Sequence, residues 1–174
     1  MCRKIILNLA ISLDGYIANE DGGFEWITGD GKGLADTNEK FEFADFLQEV
    51  DSVIMGRNCY DQDMHNDFVD KTVYIVTSKD MENYDNVKFI KGDIVEFFLS
   101  EKTKIGKGMF LFGGGALIDT FMKANIIDEF IIGIIPTILG GGRKLFYDNN
   151  PEVKLILEES TIDGGIPIMR YTRR

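Results

Sequence analysis

The chain has 174 residues, 44% of them apolar and 11% aromatic, which is enough for one sizeable core and too apolar for disorder. Its formal net charge of −10 argues against a general nucleic-acid or membrane-surface binder, because an acidic surface repels phosphate backbones and anionic lipids. Cys2 and Cys59 are too few for a disulfide framework, and neither they nor the single histidine, His65, stands in a metal-ligand spacing, so no metal site is expected. Met1 leads into Arg3 and Lys4 without a long apolar segment, which predicts a protein of the reducing cytoplasm.

In chain order, Ile5 to Ile11 is an apolar run broken only by Asn8 and predicts a strand buried on both faces, closed by Ser12-Leu13-Asp14-Gly15. Asn19 to Leu34 is rich in glycine and acids, has no period, and reads as a mobile binding loop in which Phe24 and Trp26 either dock on the core or cover a ligand. Phe43, Phe46, Leu47 and Val50 repeat at helical spacing, and Asp36 and Glu39 have the separation of a capping box ahead of that helix. Short β-rich runs follow at 52–56, 72–77, 87–90, 108–113 and 129–136. Helices are expected over 94–100 and, with the stripe Leu117, Ile118, Phe121 and Met122, after the triple glycine. That alternation predicts βαβ units on a parallel sheet. Runs at 154–159 and 166–172 flank Gly164-Gly165 and can pair only as an antiparallel hairpin. No repeat or linker divides the chain, so residues 1–174 read as one domain.

Two of the strands end at glycine and lead directly into a helix: Val53-Ile54-Met55-Gly56-Arg57 and Met109-Phe110-Leu111-Phe112-Gly113-Gly114-Gly115. Such ends present unpaired backbone N–H groups where a phosphate can sit, and two of them suggest a dinucleotide. The Rossmann spacing is absent, so a different nucleotide fold is required. Arg57 and Thr77-Ser78-Lys79 follow the ends of two of these strands, and their convergence would make a cationic phosphate pocket on an acidic protein. Arg143, in the glycine-rich turn 140–143, is a weaker candidate for an anion contact; His65 lies in a polar segment and reads as exposed.

Three ordered motifs, Ser12-Leu13-Asp14-Gly15-Tyr16-Ile17-Ala18 with Trp26 downstream, Val53 to Arg57 with Tyr60, and Phe112 to Ala116 continuing through Asp128-Glu129 to Pro136, resemble the dihydrofolate reductase superfamily. The closer resemblance is to the bacterial branch related to the C-terminal reductase domain of the riboflavin-biosynthesis deaminase/reductase. It implies an α/β three-layer sandwich with a central, mostly parallel sheet of about eight strands and an antiparallel C-terminal hairpin. It also implies NADPH across the strand ends. By position, Gly56, Arg57 and Asn58 would sit at the phosphates, Thr77, Ser78 and Lys79 near the 2′-phosphate, and Phe112, Gly113, Gly114, Gly115 and Ala116 under the pyrophosphate and nicotinamide. Ala10 and Ile11 would frame the nicotinamide, Asp14, Gly15 and Trp26 would belong to the loop over it, and Asn8, Trp26 and Phe43 would face the substrate. In relatives of this fold Gly113 and Gly114 are joined by a cis peptide, and a homodimer through the C-terminal hairpin and the run 130–135 is expected.

The departures shape the functional expectation. Cys59 stands where many relatives carry Thr, and Gly113 replaces a Glu of the riboflavin-type reductases. Glu39, with Asp36 as a second candidate, is the expected proton donor, on the reasoning that it lies one turn before Phe43 on the buried stripe. The implied activity is hydride transfer from NADPH to a small pterin- or pyrimidine-like heterocycle, with poor turnover of dihydrofolate. The alternatives are the ribosylaminouracil phosphate reductase of riboflavin synthesis and a nucleotide-binding sensor without turnover.

Overall fold

The computed structural model describes residues 2–174. β1 (Ile5–Ser12) lies near the middle of an eight-stranded sheet. The remaining strands of that sheet are β3 (Val50–Gly56), β4 (Thr72–Val76), β5 (Val87–Ile90), β6 (Gly108–Gly113), β7 (Glu129–Ile135), β9 (Leu155–Asp163) and β10 (Ile166–Arg173), in the spatial order β5-β4-β3-β6-β1-β7-β10-β9. The first six in that order run parallel; β10 pairs antiparallel with β7 and with β9, forming the hairpin.

Alternation along the strands builds the layers. Ile5, Leu7, Leu9 and Ile11 point to one face, against Phe98 of α3 (Ile94–Lys102) and Ile118 and Phe121 of α4 (Gly115–Lys123). Ile6 points to the other, where Phe46 of α1 (Phe43–Glu49) stands edge-on to Phe110 with ring centroids 5.0 Å apart. α2 (Arg57–Asp61) and a 3₁₀ turn over Met64–Phe68 extend that second layer. At the amino ends of the strands, Arg3 is buried and reaches Asp51, Ser52, Glu101 and the Lys107 carbonyl, so a charge placed among strands has partners on every side. Among the described residues no helix is long and apolar enough to cross a membrane.

Several expectations are corrected. α1 begins at Phe43 with Glu42 at its cap position and no side-chain cap, so Asp36 and Glu39 form no capping box and lie on no helix. Asp36 instead accepts the N–H groups of Gly164 and Gly165, both at 2.9 Å, and with Thr37 and Ile162 ties the segment before α1 to the hairpin turn. A second small sheet of β2 (Tyr16–Ala18) and β8 (Arg143–Lys144) joins segments that carry no strand pattern of their own. His65 is buried: its ring stacks on Tyr60 at 4.5 Å, and Nε2 lies 3.2 Å from the Tyr84 hydroxyl. The run 130–135 lies in β7, between β1 and β10 and two strands in from the edge strand β9; the other edge of the sheet is β5. The Gly113–Gly114 peptide is trans; the chain turns there because Gly113 and Gly114 take φ of 150° and 96°.

Candidate functional site

β3 leaves its carboxyl end to build outward toward β4 and β5, whereas β6 leaves toward β7 on the other side of β1. Neighbouring parallel strands whose connections diverge open a crevice at their carboxyl ends. Here it is a cleft of about 1140 Å³. The backbones of the two glycine turns meet at its base: a Cβ on Gly56 would come within 3.8 Å of the Gly113 carbonyl oxygen, and one on Gly114 within 3.6 Å of the Gly56 Cα. Side chains at these positions would narrow the gap between the two turns.

Of the expected site residues, Asn8, Ala10, Phe43, Gly56, Arg57, Asn58, Phe112, Gly113, Gly114, Gly115 and Ala116 line the cleft. Asn8 and Ala10 share one face of β1, and Leu9, which alternates with them, also reaches the lining. Ile11 does not line the cleft and packs against the α3 and α4 core instead. Arg57 is positioned rather than free. Its Nε donates to Asp61 at 2.6 Å, Nη1 contacts the Met81 sulfur at 3.1 Å, and its guanidinium lies 5.6 Å from the Tyr60 ring centroid. Gly56 pairs with Val76 in register, which sets Arg57 and Thr77 at adjacent strand ends. Thr77, Ser78 and Lys79 stand beyond the lining; Thr77 Oγ1 accepts the Lys79 backbone N–H at 3.1 Å.

Asp14, Gly15 and Trp26 are also outside the lining. Asp14 is a fastener. Its carboxylate accepts the Ser12 hydroxyl at 2.6 Å and the N–H groups of Leu139 and Gly140, and these bonds, the Ser12 one foremost, hold its pKa below the ordinary value. Gly15, at φ 90°, accepts the Leu145 N–H and so connects the same turn to the segment entering the cleft's far wall. In the loop after β2, a turn closed by the Ile27 N–H on the Phe24 carbonyl puts Phe24 and Ile27 on the cleft in place of Trp26.

The acids are rearranged as well. Neither Asp36 nor Glu39 lines the cleft, and Glu39 is exposed. Lys40 hydrogen-bonds Asp36 at 2.9 Å; that bond, then the Gly165 and Gly164 N–H groups, hold the Asp36 carboxyl at a pKa of about 2. Among the described residues the one carboxylate on the cleft wall is Asp67, from the 3₁₀ turn, in a segment that the polar sequence around His65 gave no reason to place there. Cys59 lines the cleft with its thiol pushed up by burial, which keeps it neutral and weakly nucleophilic. Arg143 of β8 reaches the lining beside Gly22, with one nitrogen 3.3 Å from the Glu20 carbonyl. The Asn8 Nδ2 group is buried without a partner, a donor held ready in the cleft wall.

The RibD C-terminal domain family matches residues 3–165. The uncharacterized protein YwjB of Bacillus subtilis (strain 168) is 37% identical over 178 residues, covering 99% of both chains. A solved protein of Shewanella sp. PV-4 assigned by name to riboflavin biosynthesis superposes with a TM-score of 0.81 at 27% identity, over 100% of this chain and 99% of its own. Dihydrofolate reductase from Enterococcus faecalis, solved with NADP(H), superposes with a TM-score of 0.66 at 14% identity, over 98% and 96%, and shares the fold. The matched span and the glycine-floored crevice together place this chain in the RibD C-terminal domain family, on the dihydrofolate-reductase-like fold.

Proposed function

We propose that the protein is an NADPH-dependent reductase that transfers hydride to a small pterin- or pyrimidine-like heterocycle bearing a C=N or C=O group. The observation that carries this reading is the cleft between diverging strands, floored by the touching glycine turns at Gly56 and Gly113-Gly114. The residues fit a phosphorylated dinucleotide: gaps that a Cβ would narrow admit a backbone-hugging pyrophosphate, and the fixed guanidinium of Arg57 stands at the adjacent strand end with Thr77, Ser78 and Lys79 beyond it. NADPH, when bound, supplies the hydride.

The chain's own work is binding and orientation. Gly113 to Ala116 lead the backbone past the cofactor into α4, Ala10 leaves room beside β1, and Phe24 and Ile27 of the loop exclude water from the mouth. Asn8 Nδ2 donates to an acceptor on the bound ring. Neither Asp36 nor Glu39 faces the cleft, and Lys40 is held by Asp36 and Asp163, so fast reduction of dihydrofolate is not expected. The acidic surface and unpaired cysteines support a cytoplasmic location.

The test is NADPH titration followed by absorbance at 340 nm with a panel of pterins, pyrimidinones and aldehydes, including dihydrofolate and the ribosylaminouracil phosphate of the riboflavin-type reductases. Substrate-dependent oxidation supports the reading, and absence of NADPH binding overturns it. Binding without turnover on any panel member would favour a nucleotide sensor, the second reading, whose support is the scarcity of acids on the cleft wall.

A further inference from the structure

Arg57 lines the cleft, and a group of side chains that do not line it stands against Arg57. The guanidinium lies 5.6 Å from the centroid of the Tyr60 ring, three residues along α2, and that ring is stacked on His65 of the 3₁₀ turn at 4.5 Å and 28°. Tyr84, from the loop between β4 and β5, joins the two. Its hydroxyl is 3.2 Å from the Tyr60 hydroxyl and 3.2 Å from His65 Nε2. Tyr84 is itself fixed by a reciprocal pair of backbone hydrogen bonds with Val87 of β5, and Phe89 of β5 stands edge-on to the Tyr60 ring at 5.2 Å. His65 Nδ1 is buried without a partner. An apolar residue would fill the same space without leaving a nitrogen unpaired, so what the histidine adds is the contact of Nε2 with Tyr84. The loop that carries Tyr84 also reaches Arg57 directly, through the Met81 sulfur at Nη1, while Asp61 takes Nε; among the described residues Nη2 has no hydrogen-bond partner. The arginine is therefore held at Nε, at Nη1 and across the Tyr60 ring, with one amino group left for a ligand.

We propose that Tyr60, His65 and Tyr84 are positioning residues, which hold the Arg57 guanidinium in one orientation at the cleft wall and so set the preference of the site for a nucleotide bearing an additional phosphate. An arginine that is free must surrender its rotamer freedom when it closes on a phosphate, whereas one already stacked and hydrogen-bonded has lost it beforehand. The unit joins three separate segments, α2, the 3₁₀ turn and the loop after β4, and it docks the loop that carries Lys79 against the helix that carries Arg57. The inference deepens the reductase reading and rests on it only in assigning that phosphate to a cofactor.

The probes are adenosine 2′,5′-bisphosphate and adenosine 5′-monophosphate, titrated calorimetrically against the parent and its variants. The parent should bind the bisphosphate more tightly. Tyr60→Leu should weaken the bisphosphate by about three- to five-fold and leave the monophosphate unchanged, the loss expected when an exposed cation–π contact no longer holds the guanidinium. Tyr60→Phe keeps the ring and should stay within about two-fold of the parent. Tyr84→Phe, a conservative change on an exposed side chain, removes the hydroxyl that joins the unit and should weaken the bisphosphate by about two-fold or more. In an Arg57→Ala background neither Tyr60→Leu nor Tyr84→Phe should cost anything further, because their effect runs through the arginine. Orientation is read independently from the Arg57 Nε–H signal in a proton–nitrogen correlation spectrum of the free protein. Assigned by its disappearance in Arg57→Ala, it should be shifted by the Tyr60 ring, stay near its place in Tyr60→Phe and move to the position of exposed arginines in Tyr60→Leu. No preference for the bisphosphate in the parent, equal losses for both nucleotides, losses that persist in Arg57→Ala, or a signal indifferent to Tyr60→Leu would each overturn the inference. NADPH is titrated separately on the same samples. Failure of the parent to bind it, with the two adenosine phosphates discriminated as described, would sink the reductase reading and leave the positioning unit standing.

Discussion

Replacing Gly56 and Gly114 one at a time by alanine separates backbone strain from occupancy of the cleft. Gly114 sits at φ 96°, where an L side chain is disfavoured, whereas Gly56 has an ordinary φ of −79°. Holding a non-glycine residue in a sparsely populated region costs about 1–3 kcal/mol. A chain of this size loses about 2–4 °C of melting temperature per kcal/mol, so Gly114→Ala should melt about 2–12 °C lower. Gly56→Ala meets nothing nearer than the Gly113 carbonyl at 3.8 Å and should melt as the parent does or slightly higher, because alanine restricts the unfolded chain by about 0.4–1 kcal/mol. Both substitutions should weaken NADPH by about ten-fold or more, about 1.4 kcal/mol, if a dinucleotide passes between these turns. Differential scanning fluorimetry and fluorescence titration on the same preparations read the two effects. A Gly56→Ala protein that binds NADPH as the parent does would refute the placement of the cofactor over the glycine turns.

Arg57→Ala and Lys79→Ala should each weaken NADPH by about ten-fold and leave NADH nearly unaffected, the loss expected for one charge-assisted hydrogen bond to the 2′-phosphate; calorimetric isotherms showing equal losses for both cofactors would reject that role. The tether between Asp36 and the hairpin turn should be complete above about pH 4, the unfolded carboxyl value, and should be lost as the pH falls through the folded pKa of about 2. The amide resonances of Gly164 and Gly165 should therefore titrate near pH 2 and stop titrating in Asp36→Asn, and a midpoint near 4 would contradict the geometry. β9 exposes Leu155, Ile156 and Leu157 along one of the two edges of the sheet, and the protein is expected to be a homodimer through this edge. Light scattering should show a dimer that Leu157→Lys converts to monomer; a concentration-independent monomer of the parent would exclude it.

Wherever the pattern was local, the fold was legible. β1, β3, β5 and β6 coincide with their apolar runs to within a residue or two, and α4 begins where the triple glycine releases the chain. What escaped was set by pairings across the length of the molecule. β2 and β8 are three and two residues long and are strands only because Tyr16 meets Lys144 and Ala18 meets Arg143. Asp36 has the spacing of a cap relative to Glu39, yet its partners lie near residue 164. His65 is flanked by polar residues and is buried nonetheless, because Tyr60 and Tyr84 enclose it. In the site, glycines and strand ends were readable because they act through backbone conformation. The loop aromatics were half readable: Phe24 and Trp26 share a segment, and only the turn at 24–27 decides which faces inward. Asp67 carried no signal, since a 3₁₀ turn with a single acid has no periodicity to betray its direction.

The central place of β1 has a consequence for biosynthesis. Its neighbours are β6, with Ile5 opposite Met109, and β7, with Ile6 opposite Glu129, so this strand is synthesised well before either of its partners. About 100 residues must be polymerised before either neighbour exists, an interval of about 5–20 s at about 5–20 residues per second. Throughout it an apolar segment with both edges open is exposed in the nascent chain, while β3, β4 and β5 can assemble first on nearby contacts. Maturation of the enzyme-like crevice is thereby postponed until β6 and β7 have been made, and the nascent chain depends until then on whatever shields β1 from self-association.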